Sequence, residues 1–155
     1  MLKRVHIIGL GLMGTNLGIK LVNGGVQVSG NDILEKNIIR AKELGALSLE
    51  HKNSINYDLI ILAMPINEII GYFDNSPGLN SKVILDLGGT KELICKKMDL
   101  SPIPSVGGHP LCGIADNNTW EPSPQIYEQA PFLLCETDST DQQSKTIVSE
   151  FIKCI

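Results

Sequence analysis

A doubly wound α/β fold, with helices on both faces of a mostly parallel sheet, is predicted by three observations. Apolar β-type runs alternate with helix-type segments along the whole chain. The first run, Val5 to Ile8, feeds directly into glycines spaced G-x-G-x-x-G and then into an apolar helix-type segment. A later continuous apolar run, Leu59 to Met64, is bounded by polar residues and Pro65, as a strand buried on both faces requires.

The opening stretch, "RVHIIGLGLMGTNLGIKLVNGG", has the strand, tight turn and helix of a Rossmann-type dinucleotide site in the required order. Gly9 lets the chain leave the strand. Gly11, without a Cβ, lets backbone approach a pyrophosphate. Gly14 lets the helix pack closely on the strand. The loop of Gly9, Leu10, Gly11, Leu12, Met13 and Gly14 then presents free N–H groups and the positive end of a helix dipole to an anion. The competing reading is a glycine-rich turn without a ligand.

Val26 to Gly30, after the turn signal Asn23-Gly24-Gly25, is the second strand. It runs into Asp32, eighteen residues beyond Gly14. A carboxylate there accepts hydrogen bonds from the adenosine ribose of NAD and repels the 2′-phosphate of NADP. Asp32 is equally suited to cap the next helix. Lys36 and Arg40 follow only one and two helical turns later, so NAD is favoured over NADP.

Ile33 to Leu44 reads as a helix closed by Gly45. Residues 46–57 are polar and are expected to hold a minor strand. After Leu59–Met64, the stretch Ala63, Met64 and Pro65 falls at the strand end, beside the nicotinamide half of a cofactor. Asn67 to Phe73 is a short helix and 75–81 a turn cluster. Val83 to Leu87 is a strand; Gly88-Gly89 turn the chain, and Thr90 caps a helix starting near Lys91. A lysine at a helix start opposes the dipole by about 0.3–1 kcal/mol. It is either simply solvated or placed near an anionic ligand. Ser105 to Gly108 is a strand end, left by His109-Pro110. A histidine just past a strand on the carboxyl side of the sheet can accept a proton from a hydroxyl while hydride leaves the adjacent carbon; the alternative is a structural or solvated imidazole. Residues 114–129 form a polar loop, either a lid or a segment anchored by Trp120. Ala130 to Glu136 is a last strand. Asp141 to Ile155 is a helix whose Ile147, Phe151 and Ile155 form a core stripe with Val148 and Ile152.

The 155 residues suit one domain spanning 1–155. Such a chain buries ~70% of its unfolded surface and needs no covalent staples. Hydrophobic residues make up 43% and charged residues 19%, with a net charge of −4 and no run of more than two Lys or Arg. That balance argues against a nucleic-acid partner. No apolar run approaches the ~20 residues of a membrane span, and a strand at the N-terminus leaves no signal-peptide pattern. Cys95, Cys112, Cys135 and Cys154 are too scattered for a disulfide framework or a zinc site; His109 and Cys112 alone make no metal site. Reduced thiols in a cytoplasmic protein are the expectation.

Together, "IIGLGLMG", "DLIILAMPINEII", "VILDLGGTKELI", "GGHPLCG" and "APFLLCET" give a chain that resembles, nearly end to end, the nucleotide-binding domain of prephenate/arogenate dehydrogenases. The most specific part is D-L-G-G-T-K followed some twenty residues later by G-G-H-P-L-C-G. The resemblance implies oxidative decarboxylation on the way to tyrosine, with hydride passing to NAD. It implies His109 as the catalytic histidine, Gly9, Gly11, Gly14 and Asp32 in the NAD site, and Ala63 to Pro65 against the cofactor. Gly89 and Lys91 fall on the substrate side. Three departures stand out. The family usually has a serine at Gly89, and often a glutamate at Ala115, where Asp116 is next door. Its helical domain, which dimerises and supplies basic groups for the substrate carboxylates, would lie beyond Ile155. Two alternatives remain at this point: a dinucleotide-binding module without catalysis, and a β-hydroxyacid dehydrogenase, which shares "GLGLMG" but needs a lysine on a later helix.

Overall fold

The computed structural model describes residues 1–52, 54–75, 78–112 and 121–155. Among these, six strands form one sheet: β1 (Arg4–Ile8), β2 (Gln27–Asn31), β3 (Leu59–Leu62), β4 (Ile84–Asp86), β5 (Ser105–Pro110) and β6 (Phe132–Glu136). Their order is β2-β1-β3-β4-β5-β6. The first five strands are parallel, and β6 runs antiparallel to β5. The helices are α1 (Leu12–Asn23), α2 (Glu35–Glu43), α3 (Ile66–Asn75), α4 (Glu92–Met98) and α5 (Gln142–Cys154). This is the Rossmann-type architecture expected from the sequence.

The sheet is covered on both faces by two separate cores. Leu17 and Leu21 of α1, Ala41 of α2 and Val148 and Phe151 of α5 pack with Val5, Ile7, Leu59 and Ile61. Ile69 of α3 and Ile94 and Met98 of α4 pack with Ile8, Ile60 and Leu62. Successive residues of β3 therefore enter opposite cores, which is why this strand reads as continuously apolar rather than alternating. The α5 stripe is core as predicted: Ile147, Val148 and Phe151 are buried, with Ile152 and Ile155 half-buried at its end. Asp141 caps the helix, its Oδ1 accepting from the Ser144 N–H at 2.7 Å.

Three expectations need correction. No minor strand forms in the described part of 46–57. The N–H groups of Ser48 and Leu49 both donate to the Val28 carbonyl, at 2.8 and 2.9 Å. Two consecutive donors converging on one acceptor turn the chain instead of continuing a ladder. His109 and Pro110 do not leave β5 but complete it, because β6 pairs alongside them in the register His109↔Leu133 and Pro110↔Phe132. Within the predicted polar loop, 121–129 contains a 3-10 turn, Pro124–Tyr127, with Tyr127 buried at 3% exposure. Trp120, Ala115 and Asp116 lie outside the described residues.

A buried polar cluster joins β1 and β2. His6, 1% exposed, places Nδ1 2.8 Å from Ser29 Oγ and Nε2 2.9 Å from Asn31 Oδ1. Tyr57 Oη lies 3.0 Å from Ser29 Oγ and 2.9 Å from His51 Nδ1. Asn31 Oδ1 can only accept, so Nε2 carries the proton and a neutral imidazole completes the cluster. Burial, and then the neighbouring His51, lower the His6 pKa to about 4, against a smaller upward pull from the Asn31 bond. In the unfolded chain the group titrates near 6.5. The stability held by neutral His6 is therefore complete above pH ~6.5 and declines as pH falls toward 4, by up to ~3 kcal/mol. Urea unfolding across this range should show the decline, and an NMR titration should place the His6 midpoint near 4; a midpoint at 6.5 or above would refute it.

Candidate functional site

The carboxyl ends of the strands stand in one row. Asn31 pairs with Ile8, Ile8 with Leu62, Leu62 with Asp86 and Asp86 with Gly107. The segments that emerge beyond this row are Asp32, the glycine loop, Ala63–Pro65, the Leu87–Lys91 turn and Gly108–His109. In an open α/β sheet the crevice outside these strand ends is where ligands bind.

The glycine loop is required sterically. Gly9 has φ +94°, and a Cβ there would clash with the Ala63 carbonyl. A Cβ at Gly14 would clash with the Gly9 carbonyl oxygen and lie 3.2 Å from Ile7 Cγ2, so only glycine lets α1 settle against β1 at this point. Gly11 is different: nothing lies within 4 Å of the position its Cβ would take. That empty space, at the amino end of α1, fits the close approach of a pyrophosphate to backbone N–H groups.

Asp32 secures the loop from the side. Its Oδ2 accepts from the Leu10 N–H at 2.7 Å, and Oδ1 accepts from the Leu34 N–H at 2.8 Å. It does not cap α2, whose N-cap is Leu34. Each carboxylate oxygen retains capacity for a further donor. A cavity of about 300 Å³ is lined by Gly9, Gly11, Asp32, Ala63, Met64 and Pro65, together with Asn31, Ile33, Leu34, Asn37 and Glu68. Ile33 is 94% exposed, so an apolar side chain stands free at the cavity rim. Leu10, Leu12, Met13 and Gly14 do not line the cavity. Leu10 is fully buried and contributes its N–H to Asp32. Met13 offers its carbonyl to Tyr127 Oη–H at 3.0 Å. Ser123 N–H and Lys20–Glu128 add two more ties between 121–129 and α1.

His109, Gly89 and Lys91 form a second group, away from that cavity. The Cβ position of Gly89 is 3.7 Å from His109 Cε1, ordinary contact distance, so a side chain there would touch the imidazole without clash. His109 Nδ1 is buried without a hydrogen-bond partner among the described residues. Thr90 does not cap α4; Lys91 occupies that position with no side-chain bond to the helix. The anion that accommodates a lysine at this helix start is in the chain itself: Lys91 Nζ donates to Asp86 Oδ2 at 2.5 Å.

Asp86 is the residue the sequence reading missed. It is fully buried. Oδ2 also accepts from the Gly88 N–H at 2.8 Å, and Oδ1 from the Gly108 N–H at 3.2 Å. Burial pushes its pKa up, and Lys91 and the two N–H donors offset only part of that rise. The carboxylate thus holds the turn carrying Gly89 to the strand carrying His109. The signal was present in "VILDLGG", where an apolar strand ends on a charge.

Fold and site together define a Rossmann-type nucleotide-binding domain with a histidine at the carboxyl edge of its sheet. Residues 17–155 match the family model for the prephenate dehydrogenase nucleotide-binding domain, and the chain belongs to that family. A prephenate dehydrogenase of Lactococcus lactis is 32% identical over 149 residues, covering 87% of this chain and 41% of the relative. One from Bacillus subtilis is 25% identical, covering 96% and 43%. The chain thus spans about two fifths of the curated relatives it matches. The structure of prephenate dehydrogenase from A. aeolicus, in complex with hydroxyphenyl propionate and NAD+, superposes with a TM-score of 0.86 at 22% identity, covering 99% of this chain and 57% of that one. Synechocystis arogenate dehydrogenase gives 0.79 at 21% identity, covering 97% and 56%. No helix among the described residues is long and apolar enough to cross a membrane.

The glycines separate stability from binding. Gly14→Ala should destabilise the fold by ~1–3 kcal/mol or more through overpacking. Gly11→Ala should cost no more than ~1 kcal/mol while weakening dinucleotide binding by tenfold or more, about 1.4 kcal/mol. Thermal unfolding and calorimetric titration of both variants check this.

Proposed function

We propose that this chain is the NAD-binding part of a dehydrogenase that oxidatively decarboxylates prephenate or arogenate, a step on the way to tyrosine. One observation carries the reading: a sterically required glycine turn, a carboxylate after β2 and the His109 ring emerge from the same end of one sheet. The names of the Lactococcus and Bacillus relatives and the NAD+ in the A. aeolicus structure support it.

The loop from Gly9 to Gly14 holds the pyrophosphate, with Gly11 giving access and the first N–H groups of α1 donating. Asp32 accepts from the adenosine ribose hydroxyls while its backbone bonds fix the loop, and its charge disfavours a 2′-phosphate. Ala63, Met64 and Pro65 border the path toward the nicotinamide. When bound, NAD supplies the hydride acceptor for the carbon bearing the substrate hydroxyl. The His109 imidazole holds that hydroxyl and takes its proton. Gly89 leaves room beside the ring, and Lys91, oriented by Asp86, borders the substrate side. The substrate carboxylates need further basic groups, since bidentate arginines suit them better than one committed lysine. A helical, dimer-forming domain of the kind found in the family is the proposed source.

Two experiments test the reading. Asp32→Ala should weaken NAD binding by about 10- to 100-fold, the loss of charged hydrogen bonds worth ~1.5–3 kcal/mol, and should weaken NADP less; equal losses count against the ribose role. With prephenate or arogenate, in the presence of the helical domain, NADH should form. His109→Ala should slow that by ~10²–10⁴-fold. NAD binding without turnover of either substrate would instead identify a binding module without catalysis.

A further inference from the structure

Cys95 in α4 and Cys135 in β6 are forty residues apart in the chain, yet their sulfurs lie 3.6 Å apart. Both side chains are half-buried, so a small reagent reaches them. They meet beside Gly107, which pairs with Cys135 across the β5–β6 ladder. A Cβ at Gly107 would stand only 3.1 Å from Cys135 Cβ and 3.1 Å from Lys91 Cδ. The missing side chain leaves the space into which Cys135 and Lys91 pack.

We propose that Cys95 and Cys135 form a reversible disulfide by exchange with small-molecule disulfides of the glutathione class. The sulfurs need to close by only ~1.5 Å to reach bonding distance. Cys95 donates its S–H to Cys135 Sγ. Burial, and then the adjoining Cys135, push the Cys95 pKa up to about 12, with Asp86 adding to the rise and Lys91 opposing it. Cys95 therefore keeps its proton, and Cys135 Sγ is the attacking atom.

In the first step Cys135 Sγ bonds to one sulfur of the small disulfide, and the other leaves as a thiolate. The mixed disulfide removes the neighbouring thiol whose hydrogen bond helps hold the proton on Cys95. Cys95 Sγ then bonds to Cys135 Sγ, the second small thiolate departs, and the protons of the two protein thiols go to the two leaving groups. One protein S–S bond replaces two S–H bonds, and the oxidant is reduced to two thiols. The bridge would fasten α4, which starts next to Lys91, to β6 across the strand that carries His109.

The test is incubation of the 155-residue chain with glutathione disulfide, followed by intact mass, thiol titration and peptide mapping. The expected result is a loss of about 2 Da, a fall from four titratable thiols to two, a linked peptide pair containing Cys95 and Cys135, and full reversal by dithiothreitol. The double variant Cys112→Ser/Cys154→Ser should behave in the same way. Cys95→Ser should stop at a glutathione adduct on Cys135. Four retained thiols in the wild-type chain, stable adducts in place of a bridge, or a bridge through Cys112 or Cys154 would each overturn the proposal.

Discussion

The lateral register of the parallel strands is the constraint on which the crevice depends. Because Asn31, Ile8, Leu62, Asp86 and Gly107 stand side by side, the loops that follow them emerge at one level. The two cores enforce that alignment. In β3, Leu59 and Ile61 enter one core while Ile60 and Leu62 enter the other. A slip of one residue would exchange the two sets and mismatch both. Each fully buried aliphatic side chain is worth about 1.5–3 kcal/mol, so the packing of residues remote from any ligand holds the site in register.

Asp86 opposes that economy of apolar burial, and its magnitude is informative. Removing a carboxylate from water costs several kcal/mol even after relaxation, and a buried ion pair is often no more stable than an apolar substitute. Stability alone therefore does not account for the Asp86–Lys91 pair. What an apolar substitute could not do is accept from Gly88 N–H and Gly108 N–H at once, linking the turn after β4 to the residue before His109. Lys96–Glu92, by contrast, is 65% and 83% exposed, and an i,i+4 pair of that kind contributes only ~0.3–0.5 kcal/mol. The buried pair serves position, the exposed one little more than solvation.

What the sequence made legible follows from how local each cause is. The glycine loop could be read because its constraints arise within a few residues of Gly9 and Gly14 and involve only sterics. The apolar runs could be read because burial on two faces leaves a continuous signature. Asp32 was ambiguous for a physical reason: its carboxylate bonds to backbone from both the loop before α1 and the loop before α2, so it ties two loops together and does not cap the helix. The expected strand in 46–57 failed because composition does not reveal that two N–H groups share one carbonyl. Lys91 was read against a helix dipole, whereas its partner comes from the preceding strand end. The Cys95–Cys135 contact spans forty residues and three elements, and no local spacing encodes it.

The two halves of the crevice differ in how completely this chain builds them. On the cofactor side, backbone positions are closed by bonds within the chain: Gly9 N–H to Asn31 O at 2.9 Å, Ala63 N–H to Ile8 O at 2.8 Å, Leu10 N–H to Asp32, and Tyr127 Oη–H to Met13 O. A loop fixed in this way would need little further ordering on binding a ligand, and preorganisation of this kind favours affinity by lowering the entropic cost of binding. On the other side, His109 Nδ1 has no partner among the described residues, and the Cβ position of Gly89 lies 3.7 Å from His109 Cε1. A buried, unpaired imidazole nitrogen costs about 1–3 kcal/mol. That cost is recovered when a group able to hydrogen-bond Nδ1 arrives, so the energetics of the His109 side favour binding of such a group.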